Sequence, residues 1–316
     1  MEGSRYDHPY YGRPGSVVQQ EQLFSADFKR KRGIASGLAI IAIQIGVPLI
    51  AACLARSGSS PNRNMIIYAA GLLIAAGAYF VCSNLMPVRG YSSLKGQFAA
   101  RMLARGIDVD RLEGIWVGFS PDGEPRVYSN NYDWDVGFLL VMPDRLCFLG
   151  EQAQFALAKD QVAKIRLGPG GPSWWGSQRV YIDWRDDHGI IGSLNFRPAD
   201  ARSMRQIAPL AKRLLDRLLR WRVAPSDESA ISSRLTALGP PNIAQVPSQS
   251  VAQATSYGRL LFFCFNSLLT AAMASFMTRL PFDPAEGGQA LYVLGAVLVL
   301  WLLQALPYMA RPGAKA

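Results

Sequence analysis

Four stretches of this sequence carry no Asp, Glu, Lys or Arg and stay apolar over lengths that few water-soluble elements reach: Gly33–Ala55, Met65–Met86, Leu260–Met277 and Ala290–Ala310. An α-helix needs about 20 such residues to cross the hydrocarbon core of a bilayer. The pattern predicts four transmembrane helices in two hairpins, with a water-soluble domain of 170 residues (88–257) between them. The composition agrees, being 50% hydrophobic with a mean hydropathy of +0.09. That is apolar for a soluble chain and polar for one made only of spanning helices. The first run does not read as a cleavable signal peptide, because it follows a 32-residue polar segment and a second run begins within ten residues.

The formal net charge of +10 is spread along the chain, and no segment is as basic as a dedicated nucleic-acid binder, so nucleic acid is not an expected partner. The excess reads as membrane electrostatics, with anionic membrane lipids as expected partners. Lys29, Arg30, Lys31 and Arg32 abut the first run as a juxtamembrane basic cluster, Arg89, Lys95, Arg101 and Arg105 follow the second, and Arg311 and Lys315 follow the fourth. The short connections 56–64 and 278–289 are poor in cations. This bias predicts a multi-pass protein of the plasma (inner) membrane with both termini and the soluble domain in the cytoplasm. Polar residues inside the runs are few: Gln44, Ser83, Asn84, Asn266, Ser267 and Thr270. They read either as interhelical hydrogen-bonding groups or as the lining of a transport path. Gly33 with Gly37, and Gly71 with Ala75 and Ala78, predict close helix packing, and Pro48 predicts a kink.

The chain divides by composition into a tail (1–32) rich in Tyr, Pro and Gly at its start, a hairpin (33–86), a connector (87–111), a domain (112–222), a Ser/Ala/Pro/Gln-rich linker (223–257), a second hairpin (258–310) and a tail (311–316). The connector contains an amphipathic helix over 90–105. Leu94, Phe98, Met102 and Leu103 fall on one face, suited to a membrane surface or to docking on the domain.

Seven short segments rich in β-branched and aromatic residues follow: Ile115–Phe119, Val136–Met142, Arg145–Gly150, Gln154–Leu157, Val162–Leu167, Arg179–Asp183 and Ile190–Phe196. Turn signals such as Pro121-Asp122-Gly123 and Asp186-Asp187-His188-Gly189 separate them, which predicts an antiparallel barrel or sandwich. A helix from Ala199 to about Trp221 comes next, with Pro198 and Asp200 as start signals and an apolar stripe of Ile207, Ala211, Leu214, Leu218 and Trp221. Its other face carries Arg202, Arg205, Lys212, Arg213, Arg217 and Arg220.

The run Gly137-Phe138-Leu139-Leu140-Val141-Met142-Pro143-Asp144-Arg145-Leu146-Cys147-Phe148, then Phe155-Ala156-Leu157 and Val162-Ala163-Lys164-Ile165-Arg166-Leu167-Gly168, resembles the GRAM and bacterial pleckstrin-homology (PH)-like pattern. Met142-Pro143-Asp144 stands where that pattern usually has Thr. The resemblance covers residues 112–222. It implies a seven-stranded barrel capped by a C-terminal helix, used more often as an assembly module than as a lipid sensor. Trp134-Asp135-Val136-Gly137-Phe138-Leu139 with Gly150-Glu151 is similar to modules attached to membrane zinc metallopeptidases of the M48 type, but the chain has no HExxH and only His8 and His188.

Trp174 and Trp175 lie in the Gly/Pro-rich loop 168–176, and adjacent tryptophans cannot both enter one core, so one is expected at an interface or folded over the barrel. Tyr132-Asp133-Trp134-Asp135 reads as a strand edge with solvated carboxylates. Cys53, Cys82, Cys147 and Cys264 have no CxxC spacing and read as small apolar residues. There is no GxSxG, no P-loop and no dinucleotide fingerprint, so no catalytic residue, metal or cofactor is assigned. The expected function is a non-enzymatic membrane assembly or regulatory module. Its PH-like domain binds a protein partner, a second copy of the chain or anionic lipid through the basic helix face and the Trp174–Trp175 loop. The alternatives are a transporter or channel subunit with a regulatory domain, and an accessory subunit of a membrane peptidase.

Overall fold

The order of the strands in the sheet follows from how the hairpins close. The computed structural model describes residues 22–56, 61–128, 131–170, 177–185, 189, 191–225, 238, 241 and 249–250. Strands β1 (Ile115–Ser120), β3 (Asp135–Val141), β4 (Arg145–Gly150) and β5 (Gln154–Ala158) form an antiparallel meander, and β6 (Val162–Pro169), β7 (Gln178–Arg185) and β8 (Ile191–Pro198) form a second one. β8 returns to pair with β1, from Val117 opposite Pro198 to Ser120 opposite Asn195. The result is one seven-stranded sheet in the order β5-β4-β3-β1-β8-β7-β6. The seven expected strands all lie in it. A two-residue strand, β2 (Arg126–Val127), pairs instead with β9 (Gln249–Ser250) from the far end of the expected linker.

The side-chain period of two sends β1, β3, β4 and β5 into two different cores. On one face Val117, Phe119, Leu139, Phe148, Phe155 and Phe196 pack with Leu214, Leu218 and Trp221 of helix α4 (Met204–Val223). Phe119 lies at its centre, with ring centroids 4.7 Å from Phe148, 5.3 Å from Phe155 and 5.6 Å from Phe196. On the other face Trp116, Val136, Phe138, Leu140, Cys147 and Leu149 pack with Tyr91, Leu94, Phe98 and Met102 of helix α3 (Tyr91–Ala104). Because both faces are covered, β3 is buried along nearly its whole length, which is why its sequence is a continuous apolar run rather than an alternation. The amphipathic connector therefore docks on the sheet, with Leu103 left exposed.

Helices α1 (Ala26–Arg56) and α2 (Pro61–Leu85) take up the first two apolar runs and pack against each other. Among the described residues, however, no helix is long and apolar enough to cross a membrane. The expectation of four transmembrane helices is corrected on this finding, and with it the multi-pass placement in the plasma membrane with cytoplasmic termini and domain. The ends of the two helices show what the pattern did not convey. α1 begins seven residues ahead of the apolar run and takes Asp27 and the Lys29–Arg32 cluster into its first turns. Those turns sit against protein: Phe24 and Lys29 are buried, and Arg32 donates to the Pro87 carbonyl. The last turn of α2 is likewise committed, through Asn84, to the backbone of α4. Further along the pair, Ile34, Leu38, Leu73 and Ile74 are exposed. The third and fourth runs, 260–277 and 290–310, lie outside the described residues.

Candidate binding surface

The start of α4 is set by a residue from another helix. Ser203 is the N-cap but makes no side-chain capping bond. Asn84 Oδ1 of α2 accepts the Arg205 N–H at 3.1 Å instead, and Gln206 Oε1 accepts the Arg202 N–H at 2.9 Å. The helix thus begins at Met204, five residues later than Pro198 and Asp200 predicted, while Ala199 and Ala201 are buried in the connecting segment. Asn84 has a structural partner here. The Gln44 side chain and Asn266, the other polar groups considered for a shared path, lie outside the described set.

From that start, Ile207 packs with Val88 and Ala201, while Ala211, Leu214, Leu218 and Trp221 face the sheet, and Trp221 Nε1 donates to the Met142 carbonyl. Arg205, Lys212, Arg213 and Arg220 are exposed on the opposite side, with Arg217 half-buried beside them. Arg217 pairs with Glu113 at 3.2 Å and Arg220 donates to the Asp216 carbonyl. Arg202 is exposed in the segment before the helix. Arg205, Lys212, Arg213, Arg217 and Arg220 thus lie within α4 and Arg202 before it, while Trp174 and Trp175 fall outside the described residues. Lys29–Arg32 do not join that surface. Lys29 donates to the Trp134 carbonyl at 2.9 Å and lies 4.3 Å from the centre of the Phe24 ring. Burial lowers its pKa, while Asp135, Asp133 and Glu151 press it back up. Arg30 and Lys31 are exposed and pair with Asp27.

Beneath α1 and α3 lies a charged cluster that sequence reasoning missed. Asp133, expected at a solvated edge, is 0% exposed and accepts from Arg179 at 2.9 Å, from Tyr91 at 2.7 Å and from Arg197. Burial alone would raise its pKa, but Arg197 and Arg179 outweigh burial and hold the carboxyl well below the usual range. The guanidinium of Arg197 also stacks 4.6 Å from the centre of the Tyr91 ring. Asp135 is equally enclosed but has no guanidinium. Burial pushes it up to about 7, against hydrogen bonds from the Ala153, Gln152 and Val136 N–H groups. Neighbouring Glu151 accepts the Leu23 and Phe24 N–H groups and a bond from Arg101 at 3.2 Å. The cluster links Tyr91 and Arg101 of α3 with Asp135 of β3, Arg179 of β7 and Arg197 of β8, with little solvent access. The one signal in the sequence was glycine: a Cβ at Gly118 would fall 2.3 Å from Asp133 Cγ, and one at Gly150 would fall 2.2 Å from Asp135 Oδ2.

Among the described residues no group of His, Cys, Asp and Glu is placed to hold a metal ion. Cys147 is buried, its thiol pushed up to about 11 by burial. Comparisons with family models, curated proteins and solved structures find no match to this chain.

Proposed function

We propose that the seven-stranded sheet and α4 form a non-enzymatic binding module whose basic α4 surface engages an acidic protein partner. The observation that carries this reading is the division of α4. Its apolar stripe is buried from Ile207 to Trp221, most of it in the core formed with the sheet, which leaves the exposed cations at 212, 213 and 220 on the side away from that core. A rigid helix whose exposed charges are mostly basic, Asp216 being the acidic exception, steers and selects a partner of the opposite sign.

The resemblance to PH-like domains supports the same reading. Four strands in a meander, three more returning to the first, and a closing C-terminal helix agree with the architecture that the resemblance implies. Such domains more often serve as assembly modules. The test is binding of the full chain to its co-purifying protein as salt is raised, with Arg213→Glu and Arg220→Glu combined. The reading expects affinity to fall by about tenfold or more, each exposed contact being worth roughly 0.2–1 kcal/mol and reversal adding repulsion. Unchanged binding would remove α4 from the account, and loss of co-purifying anionic lipid with the protein retained would move it to a lipid surface.

A further inference from the structure

Where α2 ends, the chain makes a 3₁₀ turn (Met86–Val88), turns at Gly90 in the left-handed region (φ 91°) and enters α3. Opposite this bend, the segment from Ala199 to Arg202 carries β8 into α4. Between them lies a cavity of about 740 Å³, within the range of pockets that hold small organic ligands, roughly 300–1,000 Å³. One wall is apolar: Val81 and Leu85 of α2, which are 51% and 44% exposed, with the buried Val88 and Ala201 below them. The opposing lining is cationic. Arg89 and Arg202 both line the cavity, and the carboxylate that also lines it, Asp200, is paired with Lys95 at 3.0 Å. Gly90 and Ser92 bring the N-terminal end of α3, which has no side-chain cap, to the same rim. A helix N-terminus carries partial positive charge.

We infer that this cavity binds an amphiphilic anion, an alkyl or acyl chain ending in a phosphate or carboxylate, with the head against Arg89 and Arg202 and the chain along Val81 and Leu85. Each half of the ligand matches what its side of the cavity lacks. The apolar side chains of α2 are left in water without it, and the two guanidiniums are donors suited to an oxyanion. A fully polar dianion would leave Val81 and Leu85 exposed, and a neutral hydrocarbon would leave the guanidiniums without a counter-charge. The site lies off the basic face of α4, since Arg89, the α2 wall and Arg202, which precedes the helix, are not on that face.

The experiment is calorimetric titration of the full chain with dodecyl phosphate below its micelle concentration, with dodecyltrimethylammonium and glycerol phosphate as controls. The expected result is saturable one-to-one binding of dodecyl phosphate and much weaker binding of both controls. Combined Arg89→Gln and Arg202→Gln should weaken it by about tenfold or more, as loss of charge-assisted hydrogen bonds implies. Val81→Gln, a change at an exposed position, should reduce the advantage of dodecyl over octyl phosphate while leaving the fold intact by circular dichroism. Vesicles containing phosphatidylglycerol that displace dodecyl phosphate would identify a phospholipid as the source of the chemistry. Failure to displace it would identify a free single-chain amphiphile. The inference is overturned if the cationic amphiphile binds as tightly, or if both variants bind dodecyl phosphate as the parent does.

Discussion

Asp133 Oδ1 and Arg179 Nη1 lie 2.9 Å apart, with the two side chains 0% and 1% exposed. Asp133 comes from the segment leading into β3 and Arg179 from β7, so the pair spans the sheet. Arg197 of β8 closes on the same carboxylate. Removing one partner of a buried pair leaves an uncompensated charge, which costs about 3–5 kcal/mol. Asp133→Ala strands two guanidiniums and should lower stability by that amount. The midpoint of urea denaturation, at unchanged m-value, measures it. A loss below about 1 kcal/mol, the worth of an exposed pair, would show that water reaches the cluster.

Asp133 and Asp135 titrate in opposite senses. The folded pKa of Asp133 is depressed, so its contribution is present above the unfolded value and lost as pH falls below that value through the depressed folded one. The folded pKa of Asp135 is raised to about 7. Its contribution is full below the unfolded value and lost as pH rises through about 7. Asp135→Asn removes that loss. Relative to the parent, the variant should gain stability as pH rises from about 4 to about 7 and hold that gain above it. Denaturation midpoints of both proteins across that window check this, and a difference independent of pH would contradict it.

Two glycines make a matched pair of predictions. Gly118→Ala places a Cβ 2.3 Å from Asp133 Cγ, and overpacking a close-packed site costs about 1–3 kcal/mol. Gly96, within α3, has nothing within 4 Å of the added Cβ. There the same substitution should stabilise by about 0.5–1 kcal/mol through helix propensity. Melting temperatures of the two variants should move in opposite directions.

Asn84→Ala removes the acceptor for the Arg205 N–H. Loss of an N-terminal cap costs about 1 kcal/mol, and hydrogen exchange should rise at the first turn of α4 while the sheet amides stay protected. A uniform rise would instead place the effect in global stability.

The strands were readable because their information is local. The short apolar and aromatic runs in Arg145–Gly150 and Gln154–Leu157 and turns such as Pro143-Asp144 act over a few residues. The apolar stripe of α4 was equally plain, and with it the opposing basic surface. Asp133 and Asp135 were not, because their burial depends on α3 and the first turns of α1 covering the sheet from outside, with partners 46 and 64 residues away in Arg179 and Arg197. The start of α4 failed for the same reason, since its cap comes from Asn84, 121 residues earlier. The run Gly33–Ala55 was read by hydropathy alone, which records neither the seven residues that precede it in α1 nor what they pack against.

The central claim, that the basic surface of α4 is where a protein partner binds, is tested most directly by photocrosslinking the full chain in its native cells. A photoreactive residue replaces Arg213, and a control replaces the exposed Ala100 of α3. The account predicts a discrete protein adduct at 213, none at 100, and its loss when Lys212→Glu and Arg220→Glu are added. An adduct at 213 that survives those reversals, or no adduct there above the level at 100, would contradict it.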